Sequence, residues 1–186
     1  PERGVEDLGK IDPDEAIFPT GITEAADGMI FLGTCNGARL VRFNPATGAF
    51  TRFGRMDATD NYLYPLAGDE GSLAALVKVV RPHLVVIDPQ TGEHREVGPA
   101  ITDTTDKRQF LKFFKGTDGR LYLDTHAGKF RVEGMNLNPV ETVPGEMPGI
   151  HSAYTHRYQA PLVMPGGWTA EFLDDNDVGA GAPRTI

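Results

Sequence analysis

Apolar residues come along this chain in short runs, each closed by Gly, Asn, Asp or Pro, and no long stretch keeps helical spacing. After Asp27-Gly28 the sequence reads MIFLGT, breaks at Asn36-Gly37, continues as ARLVRF, turns at Asn44 to Gly48 (NPATG) and runs on as AFTRFG. Such runs of β-branched, aromatic and aliphatic residues between turn residues predict strands. The Asp-Gly and Asn-Gly pairs supply the positive φ of tight hairpins and so predict antiparallel neighbours.

The pattern recurs. NPATG returns as DPQTG at Asp88 to Gly92, 44 residues further on. Leu8-Gly9, Phe53-Gly54, Val97-Gly98 and Val143-Pro144-Gly145 follow one another at 45, 44 and 46 residues. An acidic-Gly turn before an apolar run appears as Asp27-Gly28, Glu70-Gly71 and Asp118-Gly119. Three independent landmarks sharing one pitch identify a repeat. In the second unit the strands read SLAALVKVV, PHLVVI and EHREVG; in the third, RLYLDTH, AGKFRVEG and PVETVPG.

Four antiparallel strands per 44 to 46 residues predict an all-β fold, a β-propeller of four-stranded blades. Innermost strands are expected at PTGITEA, LYPLAGD, LKFFKGT and YTHRYQAPLVM, with WTAEFL as second strand of the fourth unit. The expected blades are 18–55, 61–99 and 108–145, an incomplete blade at 151–186, and an outer strand at 5–9 that completes the last blade of the ring. About three and a half blades fit two readings, a minimal four-bladed ring lacking one strand or part of a larger ring of about six to eight blades; the larger ring is expected, because the strand begun at Arg184 to Ile186 would otherwise leave an unpaired edge. The remaining blades are then an expected partner, in the same or another chain.

The formal charge of −8 and the lack of any basic run argue against nucleic acid as partner. No apolar stretch approaches a membrane span, and no signal-peptide pattern is present, although the start on Pro1 is expected to be processed or trimmed. The single Cys35 rules out an internal disulfide and leaves the compartment open, with a secreted or periplasmic setting expected. DDNDVG resembles the start of a calcium loop, but Val178 and Thr185 stand where oxygen ligands are needed. A structural ion at Asp174, Asp175 or Asp177, and a metal held by several histidines across blades, stay open; the sequence requires no cofactor.

In a propeller, the loops entering each innermost strand and the turns between second and third strands share one face, here called the upper face, where ligands usually sit. The entering loops carry Tyr62, Tyr64, Arg108, His151, Tyr154, His156 and Arg157; the turns carry Cys35, Asn36, Arg81, His83, Thr125 and His126. Four of the five histidines fall there, and only His94 does not. Converging His, Arg and Tyr suit an anionic substrate: Arg neutralises a carboxylate, His or Tyr moves protons. Each also has a plain structural reading: solvated strand ends for His83 and His126, core for one of Tyr62 and Tyr64 and for Trp168, a small buried hydrophobe for Cys35.

The segment YLYPLAGDEGSLAALVKVVRPHLVVIDPQTGE, residues 62–93, resembles a blade of the propeller lyases that cleave uronic-acid polysaccharides, the ulvan lyase and rhamnose-glucuronate lyase kind. The wider pattern ending in FNPATG is shared with virginiamycin B lyase, regucalcin-like and two-component-sensor propellers. The resemblance implies β-elimination. Arg81 or Arg157 would neutralise the uronate carboxylate, one of His83, His126, His151, His156 or Tyr64 would take the adjacent proton, and another would protonate the leaving oxygen. Tyr62, Arg108, Tyr154 and Asn36 complete the face as substrate-binding candidates, with an anionic carbohydrate as expected substrate. Two rivals stand beside it: a non-catalytic propeller binding a glycan, peptide or protein on the same face, and a metal-dependent lactonase of the regucalcin type, for which Glu24 and Asn36 are candidates.

Overall fold

The computed structural model describes residues 8–11, 18–99, 101–106, 108–147, 162–164 and 168–170. Among them are fourteen strands and no helix. Blade one runs β1 (Phe18–Glu24), β2 (Ile30–Cys35), β3 (Arg39–Asn44), β4 (Ala49–Arg55). Blade two runs β5 (Tyr62–Ala67), β6 (Leu73–Lys78), β7 (His83–Ile87), β8 (His94–Val97). Blade three runs β9 (Leu111–Lys115), β10 (Leu121–Thr125), β11 (Gly128–Glu133), β12 (Asn136–Val140). Each is an antiparallel meander in sequence order, and β13 (Leu162–Met164) pairs with β14 (Trp168–Ala170) as a further hairpin. The outer strand expected at 5–9 lies mostly outside the described residues, Leu8 and Gly9 being its described part.

The predicted turns hold the hairpins. Gly28, Gly71 and Gly119 have φ of 80°, 89° and 78°, and Gly48 and Gly92 close the NPATG and DPQTG turns at 71° and 76°. Two strand limits differ from the sequence reading. Glu133 pairs with Asn136 across a tight Gly134-Met135 turn, so β12 begins at Asn136 rather than at Pro139. β6 ends at Lys78, and Val79 and Val80 form an exposed turn, because Asp60 takes their backbone N–H groups as described below.

The blades stack face to face. Leu63, Ala67, Leu73, Ala75, Val77, Val85 and Ile87 of blade two pack on Phe31, Leu40 and Met56. The opposite face of blade two, with Leu66, Leu76, Leu84 and Val86, packs on Phe113, Leu121 and Leu123 of blade three. Blade two is therefore covered on both sides, which is why β7 is buried along its whole length and reads as a continuous apolar run. Gly33 sits where blades one and two come closest: a Cβ there would land on the Leu63 carbonyl and the Pro65 ring. Between blades two and three, the N–H of Asp69 donates to Gly119 O (2.9 Å), and Lys115 pairs with the Asp69 carboxylate.

Candidate ligand-binding face

The connection β4–β5 and the turns β2–β3 and β6–β7 meet at one end of blades one and two. The N–H of Ala38 donates to Asn61 O (3.0 Å) and that of Met56 to Ala38 O (2.9 Å), fixing the connection onto the first turn. Asp60, 1% exposed, reaches across to the second turn. Its Oδ1 accepts the N–H of Val79 and of Val80 (3.1 Å), and its Oδ2 that of Arg81 (2.9 Å). One carboxylate thus fixes three successive amides, and the turn presents Val79 and Val80 to solvent at 62% and 63% exposure.

Below that turn, His83 is buried. Its Nδ1 lies 2.7 Å from Arg81 O, so Nδ1 carries the proton that the carbonyl accepts. Nε2 stands 3.2 Å from Asp57 Oδ2, an ion-pair separation that is not aligned as a hydrogen bond. Burial raises the Asp57 pKa, but hydrogen bonds from the Asp60 and Thr59 backbone and the Thr59 hydroxyl, with the charge of His83, outweigh it and hold the carboxyl below its ordinary value. Arg81 makes a two-pronged pair with Glu96, both contacts 2.6 Å. That bond raises the Arg81 pKa and lowers that of Glu96.

On the opposite face of blade two, toward blade three, Tyr62 and Tyr64 project from the same side of innermost strand β5, their rings 6.3 Å apart and within 13° of parallel. Tyr62 is the register partner of Lys78, whose Nζ lies 6.0 Å from the Tyr64 ring centre. Burial pulls the Lys78 pKa below the ordinary lysine range. All three side chains are half-buried at the upper end of the face that blade two turns toward blade three. Two near-parallel aromatic rings and a cation thus stand together at this end of the blade.

The other nominated residues spread over the same end. Asn36 occupies the β2–β3 turn with φ 66°, its Oδ1 3.6 Å from the Sγ of buried Cys35. Arg108 is exposed and pairs with Asp106 at 2.9 Å. His126 is exposed in the β10–β11 turn, bonded through its N–H to Phe110 O (3.3 Å) and edge-on to the Phe110 ring. Thr125 is buried and bonds Gly128 O. His151, Tyr154, His156 and Arg157 lie outside the described residues, as do the aspartates Asp174, Asp175 and Asp177. Among the described residues no three His, Cys, Asp or Glu side chains cluster as a metal site.

Asp57, Asp60, Glu96 and Lys78 are parts of this face that sequence reasoning did not nominate. The Asp-x-x-Asp spacing in the β4–β5 connection is a signal for local backbone capping, since Asp57 Oδ1 takes the N–H of Thr59 (2.7 Å) and of Asp60 (2.6 Å). Lys78 is one charge inside an apolar run, and only strand register places it beside the tyrosines.

Three successive four-stranded meanders, stacked face to face, make this chain an all-β propeller module. No protein-family model and no curated protein matches its sequence. Among solved structures it is similar to selenomethionine-substituted virginiamycin B lyase from Staphylococcus aureus, at 19% identity and a TM-score of 0.47, over 70% of this chain. The match covers 42% of that structure, so this chain spans about two fifths of its length. The propeller class rests on the connectivity and stacking of the blades themselves.

Proposed function

We propose that the upper face binds a glycan containing uronic acid, and that it serves a polysaccharide lyase acting by β-elimination. The observation that carries the binding is the Tyr62–Tyr64 pair with Lys78 beside it. A pyranose ring offers an apolar face to stack on the tyrosines, and Lys78 answers the carboxylate. Neutralising that carboxylate acidifies the adjacent C–H. A base then takes the proton as the bond to the leaving oxygen breaks, and an acid protonates that oxygen. Among the described candidates, His126 is exposed and Tyr64 half-buried, which supports them as the acid and base, whereas His83 is 2% exposed and holds Arg81 O in the β6–β7 turn. His151, His156, Tyr154 and Arg157 remain candidates from the sequence.

A binding module without catalysis is the second reading. It is favoured by the engagement of Arg81 with Glu96 and the burial of His83, which occupy two of the nominated groups. Incubating the protein with a panel of uronic-acid polysaccharides separates the two. The lyase reading expects the ultraviolet absorbance of an unsaturated uronate to grow with time. Binding with no such product on any polymer would leave the module and remove the lyase.

A further inference from the structure

The upper end of blade two has a counterpart one blade along. Counted from the acidic-Gly turns, Tyr62 stands eight residues before Glu70 and Lys78 eight after it, while Phe110 and His126 stand eight before and eight after Asp118. Tyr62 and Lys78 are register partners. The β9–β10 ladder pairs Leu111 with Thr125 and runs on one step further, where the N–H of His126 donates to Phe110 O (3.3 Å). Blade three thus repeats at its upper end the pairing of an aromatic ring with a basic side chain. The fold does not demand it, since blade one has Pro19 and buried Cys35 at the same count.

The second pair is open and fixed. Phe110 is 47% exposed and His126 is exposed, their ring centres 6.5 Å apart and the rings edge to face. That openness belongs to the position: Tyr62, the counterpart of Phe110, is itself only half-buried although blade three covers the sheet below it. On the chain before the ring, the Gln109 side chain accepts the N–H of Thr102 (2.8 Å) and the Gln109 N–H donates to Asp106 O (2.8 Å). An aromatic ring already held in place loses little freedom when a ligand stacks on it.

Sheets packed face to face lie about 10 Å apart, further than one pyranose ring reaches. We infer that Phe110, with His126 beside it, is a second sugar-stacking subsite, and that the ligand is an oligosaccharide running across the upper ends of β5 and β9. The inference rests on the reading of the upper face as a site for acidic glycans and adds that a chain of sugars, not a single ring, is recognised. It also sets a sugar beside His126, where the lyase reading needs an acid or base.

The test is calorimetric binding of a uronate disaccharide and hexasaccharide to the unaltered protein and to Phe110→Ala. Phe110→Ala should bind the disaccharide as the unaltered protein does and the hexasaccharide roughly five- to tenfold more weakly. Phe110→Trp should restore the hexasaccharide affinity, and Tm should stay unchanged in both variants because the side chain is exposed. Hexasaccharide binding unaffected by Phe110→Ala, or an equal loss for both lengths, overturns the second subsite while the tyrosine site stands. No binding of either sugar to the unaltered protein removes the glycan reading itself, and the subsite with it.

Discussion

Asp60 holds the β6–β7 turn to the β4–β5 connection, and Asp60→Ala tests that directly. The carboxylate serves three backbone donors of the turn and is itself 1% exposed. Hydrogen bonds to a charged partner are worth about 1.5–3 kcal/mol each when fully shielded. Water reaches this turn, since Val79 and Val80 are 62% and 63% exposed, so about 1 kcal/mol per donor is the fitting value and the loss is roughly 3 kcal/mol. Asp60→Asn keeps one acceptor oxygen for Val79 and Val80 but turns an amide N–H₂ toward the Arg81 N–H, and should lose about half as much. Urea unfolding measures both: with a slope of about 2 kcal/mol/M, Asp60→Ala lowers the midpoint by about 1.5 M at unchanged slope. A loss under about 0.5 kcal/mol, typical of surface positions, would mean that the carboxylate does not hold the turn.

Gly33→Ala drives a methyl into the Leu63 carbonyl and the Pro65 ring, so it should destabilise by about 1–3 kcal/mol or more, read by the same urea titration; a neutral substitution would mean the blades do not meet there. Asp57 and Glu96 have folded pKa values below their ordinary 3.8 and 4.5. Depressed carboxylate pKa values stabilise the fold above the ordinary values and lose that contribution as pH falls through the folded ones, so the unfolding midpoint should decline from about pH 5 downward. A midpoint flat to about pH 3 would contradict this. Tyr64→Ala should weaken binding of a uronate oligosaccharide by about 1 kcal/mol or more, five- to tenfold in Kd, with Tm a check on folding; unchanged affinity would move the ligand elsewhere.

The repeat was legible because turns with positive φ need Gly at fixed positions, and Gly28, Gly71 and Gly119 mark the first hairpin of each blade. Strand limits were less so. Val79 and Val80 continue an apolar run and read as strand, yet a carboxylate 19 residues upstream claims their amides, a tertiary contact with no local trace. Upper-face residues could be placed on their face from topology alone, but not their partners. His83 read as either a solvated strand end or a catalytic group; it is buried because blade two is covered on both sides. The tyrosine pair was visible as an i, i+2 alternation, while Lys78 became part of it only through the β5–β6 register.

The most direct measurement is calorimetric binding of a uronate oligosaccharide set against its carboxyl-reduced counterpart, repeated with Lys78→Met. The acidic sugar should bind, the reduced one should bind more weakly, and Lys78→Met should erase most of the difference between them. Equal affinity for the two sugars, or no binding of either, would contradict an acidic-glycan face built on Tyr62, Tyr64 and Lys78.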